Sequence, residues 1–155
     1  LLVVLTTIAT EGESAEAARS AGKPSAVTAE TDAYEQGIVD RINLERVAKK
    51  LPKLVVGPAK GCLEENAESW SKHLAATGKF ERQDLQAVIT QCHLAGAGEL
   101  LVRNPGLSTK QAVDAWMASK RWRAIILKDG FYTHVAVGAW VDAKGVVTVA
   151  ALFGA

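Results

Sequence analysis

The sequence predicts an α+β fold, an α-β-α sandwich in which helices pack around a small, mainly antiparallel sheet. Three observations predict it. Stretches with helical periodicity come first along the chain, a pair of stretches with strand periodicity closes it, and no internal repeat lies between them. A chain of 155 residues has room for one compact domain and a tail. Its 48% apolar and 23% charged residues describe an ordinary globular composition. The net charge is +1, and the cations are interleaved with acids except at Lys49-Lys50 and from Lys120 to Arg123. Phosphate affinity grows with the number of clustered cations, so no nucleic-acid partner is expected.

The elements follow in order. "LLVVLTTIAT" opens the chain and is too short to span a bilayer, which takes roughly 20 residues. It reads either as the tail of a signal-peptide hydrophobic region, with a small-x-small cleavage pattern ending at Ala17, or as a short buried strand. No stable membrane span is expected in the mature chain. Residues 10–31 are small, polar and free of aromatics, as in a linker or processed tail. The expected division is therefore 1–31 for signal remnant and linker and 32–155 for the domain.

From Asp32, the recurrence of Tyr34, Ile38 and Ile42, with Val39 and Val47 beside them, predicts a helix of about 15 residues. "KLPKLVVGPAKG" then breaks helix at Pro52, Gly57, Pro58 and Gly61, and is expected to carry Leu54 and Val55 inward. Leu63, Ala67, Trp70 and Leu74 share one face of a second helix, acids lead it, and Gly78 stops it. Residues 80–106 show no clear period and end in the turn "NPG". Ser108, with Gln111 three residues on, forms a capping-box pattern for a helix whose core face is Val113, Trp116 and Met117. "YTHVAVGAWV" alternates, with Val135, Val137, Ala139 and Val141 on one face and His134, Ala136, Gly138 and Trp140 on the other. "DAKG" is the turn to the returning strand "VVTVAALF".

Few motifs carry chemistry. His73, His93 and His134 form no helical pair at three- or four-residue spacing, and no nucleophile elbow, phosphate loop or dinucleotide glycine pattern appears. Glu99, in the apolar "GAGELL", must find donors or have its pKa raised. His134 lies opposite the valine face of its strand. Cys62 and Cys92 are either a disulfide, if the chain is exported to an oxidising compartment, or two buried thiols.

Taken together, "INLERVAKKLPKL", "AESWSKHLAATGKF", "GEL", "AVDAWMASKRWRAIIL" and "YTHVAVGAW" resemble the CAP superfamily in its compact bacterial form. This is the group of cysteine-rich secretory proteins, antigen five and plant pathogenesis-related proteins. The resemblance covers about residues 33–153. Asn43 and Arg46 match its N-x-x-R, Leu54 its loop leucine, Gly98-Glu99 its G-E-N, and Trp116-Met117-x-Ser119 its W-M-x-S. Arg123, Ile126 and Leu127 complete the segment that follows. Bacterial relatives carry His before that Arg, and here it is Trp122; F-x-H becomes Phe80-Glu81-Arg82.

The resemblance implies a central cleft that in eukaryotic members holds a divalent metal on two His and two Glu. Those positions map to Arg82, Glu99, Ser119 and Phe131. A guanidinium has no lone pair to offer, so no metal or other cofactor is expected, and Arg82 is expected to pair with Glu99 across the cleft. The implied function is that of a secreted, non-enzymatic binding domain in the cell envelope or outside the cell. It would be monomeric, and Arg82, Glu99, Ser119, Trp122, Arg123 and His134 would meet a small apolar or saccharide ligand or a protein partner. Trp122 and Arg123, with Arg121, offer stacking and anion contacts to such a ligand, although Trp122 equally reads as a core filler. The alternatives are a hydrolase with Glu99 as general base, and a structural scaffold that displays residues 80–106.

Overall fold

The computed structural model of the chain describes residues 26–56 and 61–155. The signal-peptide reading, its cleavage point at Ala17, and Gly57 and Pro58 lie outside the described residues. The order of elements is α1 (Ala26–Ala48), β1 (Val55–Val56), α2 (Cys62–Thr77), α3 (Leu85–Gln91), β2 (Ala97–Pro105), α4 (Thr109–Ala118), α5 (Lys120–Ile126), β3 (His134–Val141) and β4 (Val146–Gly154). The strands form one sheet in the order β1-β3-β4-β2, with β1 parallel to β3 and the other neighbours antiparallel. Helices cover both faces, which is the α-β-α sandwich expected from the sequence.

The two faces differ in residue size, and this sets the layers. Alternate residues of a strand point to opposite sides of a sheet. Val149, Ala151 and Phe153 of β4, with Leu100 of β2 and Val135 and Val137 of β3, face α1, α4 and α5 and join Ile38, Ile42, Val113, Trp116 and Ile126 in the main core. Ala150 and Leu152 face the opposite layer and pack with Ala67 and Leu74 of α2 and Val88 of α3. Gly138 lies on this second face, where a Cβ would stand 2.3 Å from the Ala67 carbonyl carbon. The α2 backbone thus rests directly on β3.

The local signals explain most element boundaries. Gly78 ends α2 in the left-handed conformation, at φ 71°, with its N–H on the Leu74 carbonyl. The capping box forms as read: Ser108 Oγ accepts from the Gln111 N–H at 3.2 Å and Gln111 Oε1 from the Ser108 N–H at 2.9 Å. A disulfide joins Cys62 to Cys92, with Cα atoms 5.5 Å apart, and ties the start of α2 to the residue after α3.

Three local expectations need correction. α1 starts at Ala26, inside the stretch read as linker, and runs 23 residues. Val47 and Val55, expected inward, are 48% and 58% exposed. Asn43 explains both: its side chain accepts from the Leu54 N–H at 2.8 Å and donates to the Leu54 carbonyl at 3.0 Å. That fixes Leu54 inward, and the next residue of an extended strand must then point out. On the helix, buried Asn43 and Arg46 take the inward positions beside Val47. Residues 80–106 hold α3 and the whole of β2, which lack a visible period because α3 is only seven residues and the start of β2 is buried on both faces. Ser119 divides α4 from α5, as C-cap of the first and N-cap of the second.

Candidate functional site

Glu99 is the centre of the candidate site. It pairs with Leu152 in the β2–β4 ladder, so its side chain points into the α2–α3 layer, and it is 1% exposed. Its Oε1 accepts from Gln83 Nε2 at 2.8 Å. Its Oε2 is buried and has no hydrogen-bond partner. Burial raises the Glu99 pKa above its ordinary value, while the Gln83 side-chain amide, the Gln83 main-chain N–H and the more distant charge of Arg82 pull it down.

Gln83 reaches Glu99 because the connection from α2 to α3 is fastened along its length. Arg103 of β2 donates to the carbonyls of Leu74, Gly78 and Lys79 at 2.6, 3.2 and 2.9 Å and to Thr148 Oγ1 at 2.9 Å. Trp70 Nε1 donates to the Glu81 carbonyl at 3.1 Å. Asp84 then caps α3 by accepting from the N–H groups of Gln86 and Ala87. Residues 79–84 are thereby laid as a strap over the start of β2.

The sheet divides the residues expected to form one cleft. Arg82 lies on the strap, exposed, and no ion pair joins it to Glu99 among the described residues, contrary to the expected pairing; Gln83 takes that place. His134 is on the same face of the sheet as Glu99. It stands two strands away, roughly 10 Å across the sheet, and is displaced by a further two residues along it. It is exposed, and its Nδ1 is 2.8 Å from Thr133 Oγ1.

Ser119, Trp122 and Arg123 belong to the opposite layer. Ser119 Oγ caps α5, accepting from the Trp122 N–H at 3.5 Å. Trp122 is half-buried against the main core, and Arg123 Nη1 donates to the Met117 carbonyl at 2.9 Å across the α4–α5 corner. Phe131, the remaining family position, lies against Gly96, where a Cβ would stand 2.6 Å from its Cζ. Lys128 Nζ is 4.4 Å from the Phe131 ring centroid.

Some structurally decisive residues gave weaker signals. Gln83, next to the charged Arg82 in "FERQD", gave none. Arg46 carried the N-x-x-R resemblance but no hint of its surroundings. It is fully buried, donating from Nε to the Pro52 carbonyl at 2.9 Å and from Nη1 to the carbonyls of Ile126 and Lys128 at 2.7 and 3.1 Å. It therefore locks α1 to the end of α5. Glu35 of α1 reads as a solvated helix acid, yet its Oε1 accepts from the Ala139 N–H of β3 at 2.7 Å. The carboxylates of Glu64 and Glu68 lie with it, all within 4.8 Å of one another.

This layered fold defines a class of SCP-type domains. An extracellular SCP-domain protein of Bacillus anthracis superposes with a TM-score of 0.67 at 21% identity, over 80% of this chain and 41% of that one. An outer surface protein of Borrelia burgdorferi superposes with a TM-score of 0.66 at 15% identity, over 76% of this chain and 88% of that one. For venom allergen-like protein 4 of Schistosoma mansoni the TM-score is 0.61 at 14% identity, over 78% and 88%. Comparison with curated protein sequences gives no match. The family follows from the sequence itself: the chain belongs to the cysteine-rich secretory protein (CAP) family, whose model matches residues 39–152.

Proposed function

We propose that this CAP domain is an exported, non-enzymatic binding module that takes a small ligand, such as a lipid or a cell-wall fragment, beside Glu99. The observation that carries this reading is the buried Glu99 carboxyl, held on one oxygen by Gln83 and partnerless on the other. Buried polar atoms without partners are rare enough to mark places where something is missing. Export is supported by the Cys62–Cys92 disulfide, which suits an oxidising compartment, and by fold relatives that are themselves extracellular or outer-surface proteins.

The divalent-metal cleft of the family does not fit the residues present. Glu99 brings one carboxylate. Arg82 is a cation, Ser119 is spent on a helix cap on the other face, and Phe131 is packed on Gly96. Zinc asks for three or four imidazole, thiolate or carboxylate donors at one point. Acid–base catalysis by Glu99 also lacks a partner in reach, since His134 lies two strands away. In this reading the exposed Arg121 and the half-buried Trp122 form a separate, outer surface.

The test is an NMR and tryptophan-fluorescence screen of the full chain against lipids and soluble cell-wall fragments. Ligand-dependent shifts at Arg82, Gln83 and Glu99 are expected. A screen in which nothing moves these resonances would end the proposal.

A further inference from the structure

The two cation runs that stand out in the sequence, Lys49-Lys50 and Lys120 to Arg123, lie far apart in the chain. Arg46 brings their segments to one corner of the molecule. It is buried near the end of α1 and donates to the carbonyls of Pro52, Ile126 and Lys128. Lys49 and Lys50 sit in the turn that closes α1, where their N–H groups reach the carbonyls of Arg46 and Val47, and Lys53 follows Pro52. Lys120 and Arg121 open α5, about 9 Å along the helix from Ile126, on the side away from that buried residue. These five residues and Lys128 are all exposed, and none forms a salt bridge among the described residues.

The corner is strongly polarised. Residues 44–56 and 119–129 hold eight of the chain's 18 cations and two of its 17 acids, a local charge of +6, so the rest of the chain carries −5 and the whole +1. Of the two acids, Asp129 bears on the buried Arg46. Lys50 is in the left-handed conformation at φ 60°, where a glycine such as Gly78 fits without strain, so a charge is kept there at a conformational cost.

The same corner exposes apolar side chains. Leu44 and Val47, three residues apart on α1, and Val55 and Val56 of β1 are four of the eight large apolar residues exposed among the described residues. Asn43 clamps the start of β1 to this end of α1 through both main-chain groups of Leu54. A soluble polyanion would use the cations and leave these apolar groups in water. An anionic bilayer uses both, because its headgroups meet the cations while short apolar side chains enter the interface.

We propose that this corner is a docking surface for an anionic lipid bilayer. The cations stand at the ends of α1 and α5, in the layer opposite the one Glu99 points into, so the proposal is independent of any ligand beside Glu99.

The test is co-sedimentation of the full chain with vesicles of phosphatidylcholine, alone or with about 30% phosphatidylglycerol. Binding to the anionic vesicles is expected to be at least about tenfold stronger, and the difference is expected to vanish in about 1 M salt. Reversing four corner charges (Lys49→Glu, Lys50→Glu, Lys120→Glu, Arg121→Glu) should weaken anionic-vesicle binding about tenfold or more. Four reversals at exposed lysines elsewhere (Lys72→Glu, Lys79→Glu, Lys110→Glu, Lys144→Glu) should weaken it by no more than about threefold at physiological salt. Equal binding to the two vesicle types, or equal loss in the two charge variants, would overturn the proposal. A third variant, Leu44→Ser with Val47→Ser and Val55→Ser, should lose about tenfold in vesicle binding and keep its affinity for poly-L-glutamate. Wild-type vesicle binding by that folded variant would assign the corner to a soluble polyanion and overturn the bilayer reading.

Discussion

Glu35 illustrates how much a single side chain can set in this molecule. It is 7% exposed, and its pKa is pushed up to about 8, first by burial and then by the charges of Glu68, Asp32 and Glu64, with the Ala139 N–H opposing. In the unfolded chain the group returns to its ordinary 4.5. A carboxyl whose pKa is raised by folding stabilises the fold fully below the unfolded value, and that contribution drains away as pH rises through the folded one. Urea unfolding followed from about pH 5 to about pH 9 should therefore show falling stability, and Glu35→Gln should flatten much of that fall. The raised pKa of Glu99 acts in the same direction, so some slope should remain. A variant with the full wild-type slope would contradict this account of Glu35. Neither acid was legible at this level of detail. Glu99 was recognisable as a carboxyl in apolar surroundings, whereas Glu35 sits on an amphipathic helix where an acid ordinarily faces water.

At the scale of elements, two contacts hold the layers in place. Because Gly138 lets the α2 backbone lie on β3, Gly138→Ala should lower stability by about 1–3 kcal/mol or more, as read by thermal or denaturant unfolding. An unchanged midpoint would mean that α2 sits farther from the strand. Asn43 holds both main-chain groups of Leu54, and Asn43→Ala should cost about 2–3 kcal/mol because it leaves a buried N–H and carbonyl unpaired. Helices with a cap, a stripe and a stop were legible in the sequence, as the Ser108–Gln111 box and Gly78 show. The β3–β4 hairpin was legible from its alternation. β2 was not, since "GELLV" is covered on both faces at its start and its run of buried residues carries no period of two.

At the scale of the whole molecule, the disulfide and the sheet have different consequences. The Cys62–Cys92 bond spans a separation of 30 residues, and replacing both cysteines should reduce stability by about 3–4 kcal/mol if it acts by restricting the unfolded chain. Unfolding of the oxidised and doubly substituted proteins measures this directly, and equal midpoints would show that the bond is redundant. The sheet explains why the candidate site was only partly legible. Family motifs name positions in order along the chain, but whether a side chain reaches a given cleft depends on which face of the sheet it occupies. Glu99 points to the α2–α3 layer, while Ser119, Trp122 and Arg123 lie with α4 and α5 on the other side. Linear order therefore grouped residues that the fold separates, and it passed over Gln83, whose role depends on how the strap is fastened.

We propose that Glu99, a buried carboxyl held by Gln83, is not a ligand of a cation site. Calorimetric titration of the full chain with zinc tests it most directly. The account predicts no one-to-one heat that depends on Glu99. A tight one-to-one complex in the wild-type chain, lost in Glu99→Ala, would contradict it.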